Sequence, residues 1–249
     1  MNRKRLKELA EDDRFIPGIY NYCDRWCERC PQTARCMNFA LDQEEDAEPE
    51  ERDVRNEAFW NKLSGIFRET IEMLEEMANE HGVDLKTLDT EEIQEEIAAK
   101  RDAAANHVLS RAARGYAKLA DDWFKEKGEL FFFPDVGPQS ENVTVDEALE
   151  VIRWYQYFIA AKVNRAVRGS LDDETEEAGS DADGSAKVAL IAIDRSIAAW
   201  GVIPHRNRFY EKSVFEIISF LSLLKQGVED TFPRARSFKR PGLDEAGQL

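Results

Sequence analysis

The chain has 249 residues, 43% of them hydrophobic, and a formal charge of −16. No run of eighteen apolar residues and no secretory signal is recognised, so neither a membrane span nor a disulfide-stapled secreted domain is expected, and the cytoplasm is the default compartment. The acidity is local: residues 44–53 and 172–183 each hold seven acids, and the remainder has a net charge of −3. Both acidic stretches read as solvated linkers. Nucleic-acid binding is disfavoured, because phosphate affinity needs clustered Lys and Arg and only short basic tails, 3–7 and 234–240, supply any.

In chain order, residues 2–12 read as a short helix carrying Leu6, Leu9 and Ala10. A cysteine-rich module over 14–40 and the acidic stretch 41–53 follow. Trp60, Leu63, Phe67, Ile71, Leu74 and Met77 recur at three and four within 54–81, and Gly82 stops that helix. Asp89 to Glu92 forms a capping box opening a second long helix to Gly128, about 55 Å if straight and so expected either to kink near Gly115 or to outrun the bundle. Leu130-Phe-Phe-Phe-Pro134 is strand-like but has no partner strand, so it is read as a plug for a bundle end. Thr144 to Glu147 is another capping box, and its helix runs to Gly169. After the acidic loop, 185–202 is apolar nearly all round and therefore central. The last helix spans about 210–231, and a basic, disordered tail is expected over 234–249. The fold class is all-α: a bundle of about five long helices (54–233), an acidic linker (41–53) and a small N-terminal module (1–40).

All four cysteines, Cys23, Cys27, Cys30 and Cys36, fall within fourteen residues, spaced C-x3-C-x2-C-x5-C. Soft thiolates at such density suit Zn²⁺ or an iron–sulfur cluster. Two disulfides, unrelated buried cysteines and a thioredoxin-like redox pair are weighed against this, and each lacks supporting context. Zinc commonly uses two separated knuckles, absent here, so a [4Fe–4S] cluster is preferred over zinc. Arg25, Arg29 and Arg35 are interleaved to offset the negative charge of such a centre. Ile16, Pro17, Ile19, Tyr20, Tyr22, Trp26 and Phe39 could wrap it, and the aromatics among them are also expected to dock the module on the helical body.

Three partial resemblances accompany these residues. Cys30-Pro31 within a dense cysteine run resembles ferredoxin-type cubane motifs. Cys23, Cys27 and Cys30 are similar to the triad of radical S-adenosylmethionine enzymes, which implies a (β/α) barrel that the rest of the sequence lacks. Glu91, Glu92, Glu95 and Glu96 with Asp121 resemble the Mg²⁺-binding carboxylates of MazG-type pyrophosphatases, although Lys118 stands at a ligand position. Asp181-Ala-Asp183-Gly184 starts like an EF-hand loop, but Leu190 replaces its bidentate Glu. None of His81, His107 or His205 follows a Glu by three, which removes a di-iron carboxylate site. Asn142 to Thr144 matches a glycosylation sequon. Asp194 and Arg195, inside the most apolar helix, call for partners.

The expected function is therefore an iron–sulfur protein for electron transfer or redox sensing, with Cys23, Cys27, Cys30 and Cys36 as ligands. The alternative is a zinc-stabilised helical interaction protein without catalysis, and a hydrolase built on the acidic helix is third. A protein partner is expected.

Overall fold

The computed structural model describes residues 3–44, 49–88, 90–127, 144–171, 176–206 and 208–244. The described residues contain no strand and form α1 (Arg3–Ala10), α2 (Met37–Glu44), α3 (Pro49–Arg52), α4 (Glu57–Glu80), α5 (Leu85–Leu88), α6 (Glu91–Asn106), α7 (Val108–Lys127), α8 (Val145–Gly169), α9 (Glu176–Arg206) and α10 (Glu211–Thr231). Eight of these have eight residues or more, where five long helices were expected. Part of the difference lies at His107, which breaks the predicted second helix into α6 and α7. Its Nδ1 accepts the Leu109 amide at 3.3 Å and its carbonyl takes the Arg111 amide at 3.0 Å, so an imidazole acts as the cap of α7. At Gly115, one place considered for a kink, α7 is unbroken. Asp89 and the 130–134 run lie outside the described residues, as do Gly128, Asn142, 45–48, 172–175 and 245–249. Thr90 supplies the α6 cap, its Oγ1 accepting the Ile93 amide at 3.3 Å.

The chain divides into two compact units. Unit one comprises Met1–Tyr20, Arg25–Ala98 and Pro241–Leu249; unit two comprises Asn21–Asp24 and Ala99–Arg240. This grouping cuts the chain differently from the module, linker, bundle and tail suggested by composition.

Unit two is a four-helix bundle in which α8 packs along α9, α7 against α8, and α10 against both α9 and α7. Its core is continuous: Tyr116 and Trp123 from α7, Ile152, Ile159 and Val163 from α8, Leu190, Ile193 and Trp200 from α9, and Val214, Ile217 and Leu221 from α10. Burying each such side chain contributes about 1.5–3 kcal/mol. The Thr144 capping box forms as read, with Thr144 Oγ1 taking the Glu147 amide at 3.2 Å and Glu147 Oε2 taking the Thr144 amide at 2.8 Å.

Two expectations fail in this unit. Residues 176–183 are not a solvated linker but the first turns of α9. Asp181 is ion-paired with Arg165 at 2.7 Å, and Asp183, nearly buried, with Arg234 at 2.9 Å, so distant arginines offset the charge that suggested solvation. The segment after Pro233 is likewise ordered through Arg240, with a 3₁₀ turn at Ala235–Ser237. Ala235 is buried and Arg236 bridges Asp194 and Glu229, each at 2.7 Å.

Unit one has a thin core. Among its described residues only Leu9, Ile19, Trp26, Ala78 and Gly242 are buried. The amphipathic period of α4 is as predicted, but Trp60, Phe67, Ile71, Leu74 and Met77, read as core, are each more than half exposed.

Candidate functional site

Three cysteines sit at the ends of short turns in unit one. Arg25 adopts a left-handed conformation (φ 58°), uncommon for a residue with a Cβ, and turns the chain as it enters the segment. Trp26 is buried beneath the Arg29 guanidinium, 4.1 Å from the ring centroid, a cation–π contact. Cys27–Arg29 is one 3₁₀ turn, closed by the Cys30 amide on the Cys27 carbonyl at 3.1 Å. Pro31 holds Cys30 extended (ψ 122°), and the Gln32 amide donates to Cys30 Sγ at 3.4 Å. A second 3₁₀ turn, Thr33–Arg35, ends at Cys36, whose carbonyl accepts the Ala40 amide at 3.0 Å at the start of α2. The Ile16 amide donates to the Arg35 carbonyl at 3.0 Å and ties this second turn to the N-terminal segment.

None of the four cysteines is in a disulfide; Cys27 is exposed and the others are half-buried. The donor chemistry therefore fits a thiolate-bound metal, and the amide-to-sulfur bond at Cys30 is the kind of outer contact that steadies a thiolate ligand. The arrangement is another matter. Among the described residues no group of three or more His, Cys, Asp or Glu is close enough together to hold a metal ion.

Cys23 belongs to unit two, in the four-residue segment Asn21–Asp24 that α8 and α9 hold down. Lys162 Nζ donates to the Asn21 carbonyl at 3.0 Å, and Trp154 Nε1 to the Asp24 carbonyl at 3.0 Å. Asp24 Oδ2 accepts from Tyr155 at 2.7 Å and from Arg195 at 2.5 Å. Tyr22 donates to Asp181 at 3.1 Å and meets Phe238 edge-on at 4.9 Å. Burial first, and then the adjacent carboxylate, pushes both phenols up to about 12: Asp24 for Tyr155 and Asp181 for Tyr22. Gly184 of α9 lies directly under the Tyr22 ring, and a Cβ there would fall 2.4 Å from it.

The partners called for by Asp194 and Arg195 are thus found. Asp194 pairs with Arg236 and Lys225, both at 2.7 Å; burial raises its carboxyl, and these cations outweigh burial and hold it below the usual range. Sequence reasoning missed the roles of Asp24, Tyr155 and Lys162, whereas Tyr22 is among the aromatics it set around the cysteines. Asp24 stands inside the cysteine spacing, which drew attention to sulfur alone, and Tyr155 looked like one more apolar residue in the α8 stripe.

The remaining candidates form no site. Glu91, Glu92, Glu95 and Glu96 are solvent-exposed on α6, and Asp121 pairs with Lys125 at 2.5 Å. Asp181 to Gly184 is helical, so no EF-hand loop exists there. The chain matches no protein-family model, no curated protein and no solved structure.

Proposed function

We propose that the segment from Cys23 to Cys36 binds a [4Fe–4S] cluster through its four thiolates and serves electron transfer or redox sensing. The observation that carries this reading is that the protein's entire cysteine content lies in fourteen residues, at the spacing C-x3-C-x2-C-x5-C. The thin core of unit one adds support, since a region that buries so little apolar surface gains stability from a metal staple. The turns that carry Cys27, Cys30 and Cys36 are single 3₁₀ turns linked by extended residues, which can draw together at small backbone cost when a metal is bound. Binding is then coupled to local ordering. The exposed Arg25 and Arg35 lie within the same segment and offset the anionic charge of a four-thiolate centre. When bound, the cluster supplies one-electron chemistry, and the protein supplies its ligands and the apolar cover of Trp26.

Single replacements of Cys23, Cys27, Cys30 and Cys36 by Ser, each assayed for iron and acid-labile sulfide after anaerobic purification, test the reading. All four variants are expected to lose most of the metal. Full retention in Cys36→Ser would mean a three-cysteine site, and retention in all four would reject the cysteines as ligands.

A further inference from the structure

Two of the four cysteines share a single turn. The Arg29 amide donates to the Trp26 carbonyl and the Cys30 amide to the Cys27 carbonyl, both at 3.1 Å, so residues 26–30 carry two consecutive 3₁₀ hydrogen bonds. In 3₁₀ geometry the side chains at i and i+3 eclipse, and three residues rise about 6 Å. Cys27 and Cys30 therefore stack on the same side of the turn, with a Cα separation inside the roughly 4.4–6.8 Å window that a disulfide spans. The other cysteines have no such relation to the pair. Cys36 lies beyond Pro31 and a second 3₁₀ turn, which the Ile16 amide ties to the N-terminal segment through the Arg35 carbonyl. Between Cys23 and Cys27, the left-handed Arg25 (φ 58°) interrupts any regular turn.

The turn is held on both sides, so the pair is presented without rearrangement of the chain. Trp26, just before it, is buried and carries the Arg29 guanidinium over its ring at 4.1 Å. Pro31, just after it, restricts Cys30 to the extended conformation it adopts (ψ 122°). The Gln32 amide donates to Cys30 Sγ at 3.4 Å, a contact that steadies negative charge on that sulfur. The ring that a Cys27–Cys30 bond would close contains only Glu28 and Arg29 between the cysteines. A disulfide stabilises a fold less the shorter the loop it closes, so this bond would suit reversible chemistry better than a structural staple.

We propose that Cys27 and Cys30 form a dithiol switch, closed to a disulfide by a peroxide and reopened by a low-molecular-weight thiol. In closing, one thiolate attacks a peroxide oxygen: an S–O bond forms, the O–O bond breaks and hydroxide leaves. The second thiolate attacks the sulfenic sulfur: the S–S bond forms, the S–O bond breaks and a second hydroxide leaves. The two thiol protons convert both hydroxides to water, so the dithiol gives up two electrons and the peroxide takes them. Reopening runs through a mixed disulfide and leaves two molecules of the reducing thiol joined to each other. The chemistry belongs to the free thiols and is independent of the cluster reading. For a metal held on the same four sulfurs, closing the switch withdraws two of its ligands.

The test uses the full-length protein, reduced, freed of metal with a chelator under argon and treated with one equivalent of hydrogen peroxide. Remaining thiols are alkylated with iodoacetamide, and trypsin then places each cysteine on its own peptide, because arginines stand at 25, 29 and 35. The expected product in the mass spectrum is peptide 26–29 joined to peptide 30–35 by a disulfide that reduced glutathione splits, with Cys23 and Cys36 alkylated. In Cys27→Ser the yield of any intramolecular linkage should fall about tenfold, and in urea the wild-type preference for this linkage over all others should fall by about as much, since the turn that aligns the pair is gone. Predominant linkage of any other pair, oxidation to sulfinic acid without a linkage, or a linkage that glutathione leaves intact would overturn the proposal. So would an undiminished yield in Cys27→Ser, or a preference unchanged in urea, which would place it in the spacing and not in the fold.

Discussion

Replacing Gly184 by Ala should destabilise the protein, although the same change at Gly201 of the same helix should stabilise it. In a helix interior, Gly→Ala gains about 1 kcal/mol. At Gly201 nothing lies within 4 Å of the added Cβ, so the full gain is expected. At Gly184 the Cβ would lie 2.4 and 2.7 Å from two carbons of the Tyr22 ring and 2.8 Å from the Phe238 ring. Ordinary carbon contact is about 3.5 Å, so the Tyr22 ring must retreat by about 1 Å. It cannot do so cheaply, because its hydroxyl is bound to Asp181 and its edge meets Phe238. Overpacking of this kind costs about 1–3 kcal/mol, and loosening a hydrogen bond to a carboxylate adds about 1.5 kcal/mol. After subtracting the helical gain, Gly184→Ala should lose about 1.5–3.5 kcal/mol while Gly201→Ala gains about 1. Urea midpoints of the two variants, followed by circular dichroism, measure the difference. If Gly184→Ala is as stable as Gly201→Ala, the segment carrying Cys23 is not held against α9 as described.

Three further outcomes follow from the same contacts. Tyr155 and Tyr22 have ordinary phenol values near 10 when unfolded and about 12 when folded, so folding favours their neutral forms; that stability is complete below pH 10 and lost as pH rises toward 12. A urea midpoint that falls steeply over this window in the wild type, and less steeply in Tyr155→Phe, is the expected result. Trp200→Ala, which empties a fully buried site and removes the donor to the Tyr116 hydroxyl, should cost about 3–5 kcal/mol in the same assay. Asp24→Ala should cost about 1 kcal/mol, since half-exposed Arg195 keeps its hydration while Tyr155 loses its acceptor.

Helical periodicity was legible because it reports a face of a single segment, and the bounds of α8 and α10 fell close to those predicted. What covers that face is a tertiary fact, which is why the α4 stripe read as core and lies at the surface. Charge counting failed at 176–183 for a related reason. The cations that offset Asp181 and Asp183 stand at Arg165 and Arg234, outside any window that a composition count uses. The break at His107 was hidden because imidazole is seldom a cap, whereas Thr144 with Glu147 announced itself. For the cysteines the spacing names a chemistry, but the hydrogen bonds that hold Asn21–Asp24 to α8 and α9 come from residues at least 130 positions away.

Anaerobic purification of the full-length protein, followed by its visible spectrum and by iron, sulfide and zinc analysis, tests the central claim most directly. A brown protein with about four irons and four sulfides per chain, bleached by dithionite, is the predicted result. A colourless protein carrying one tightly bound zinc, or no metal at all, would contradict it.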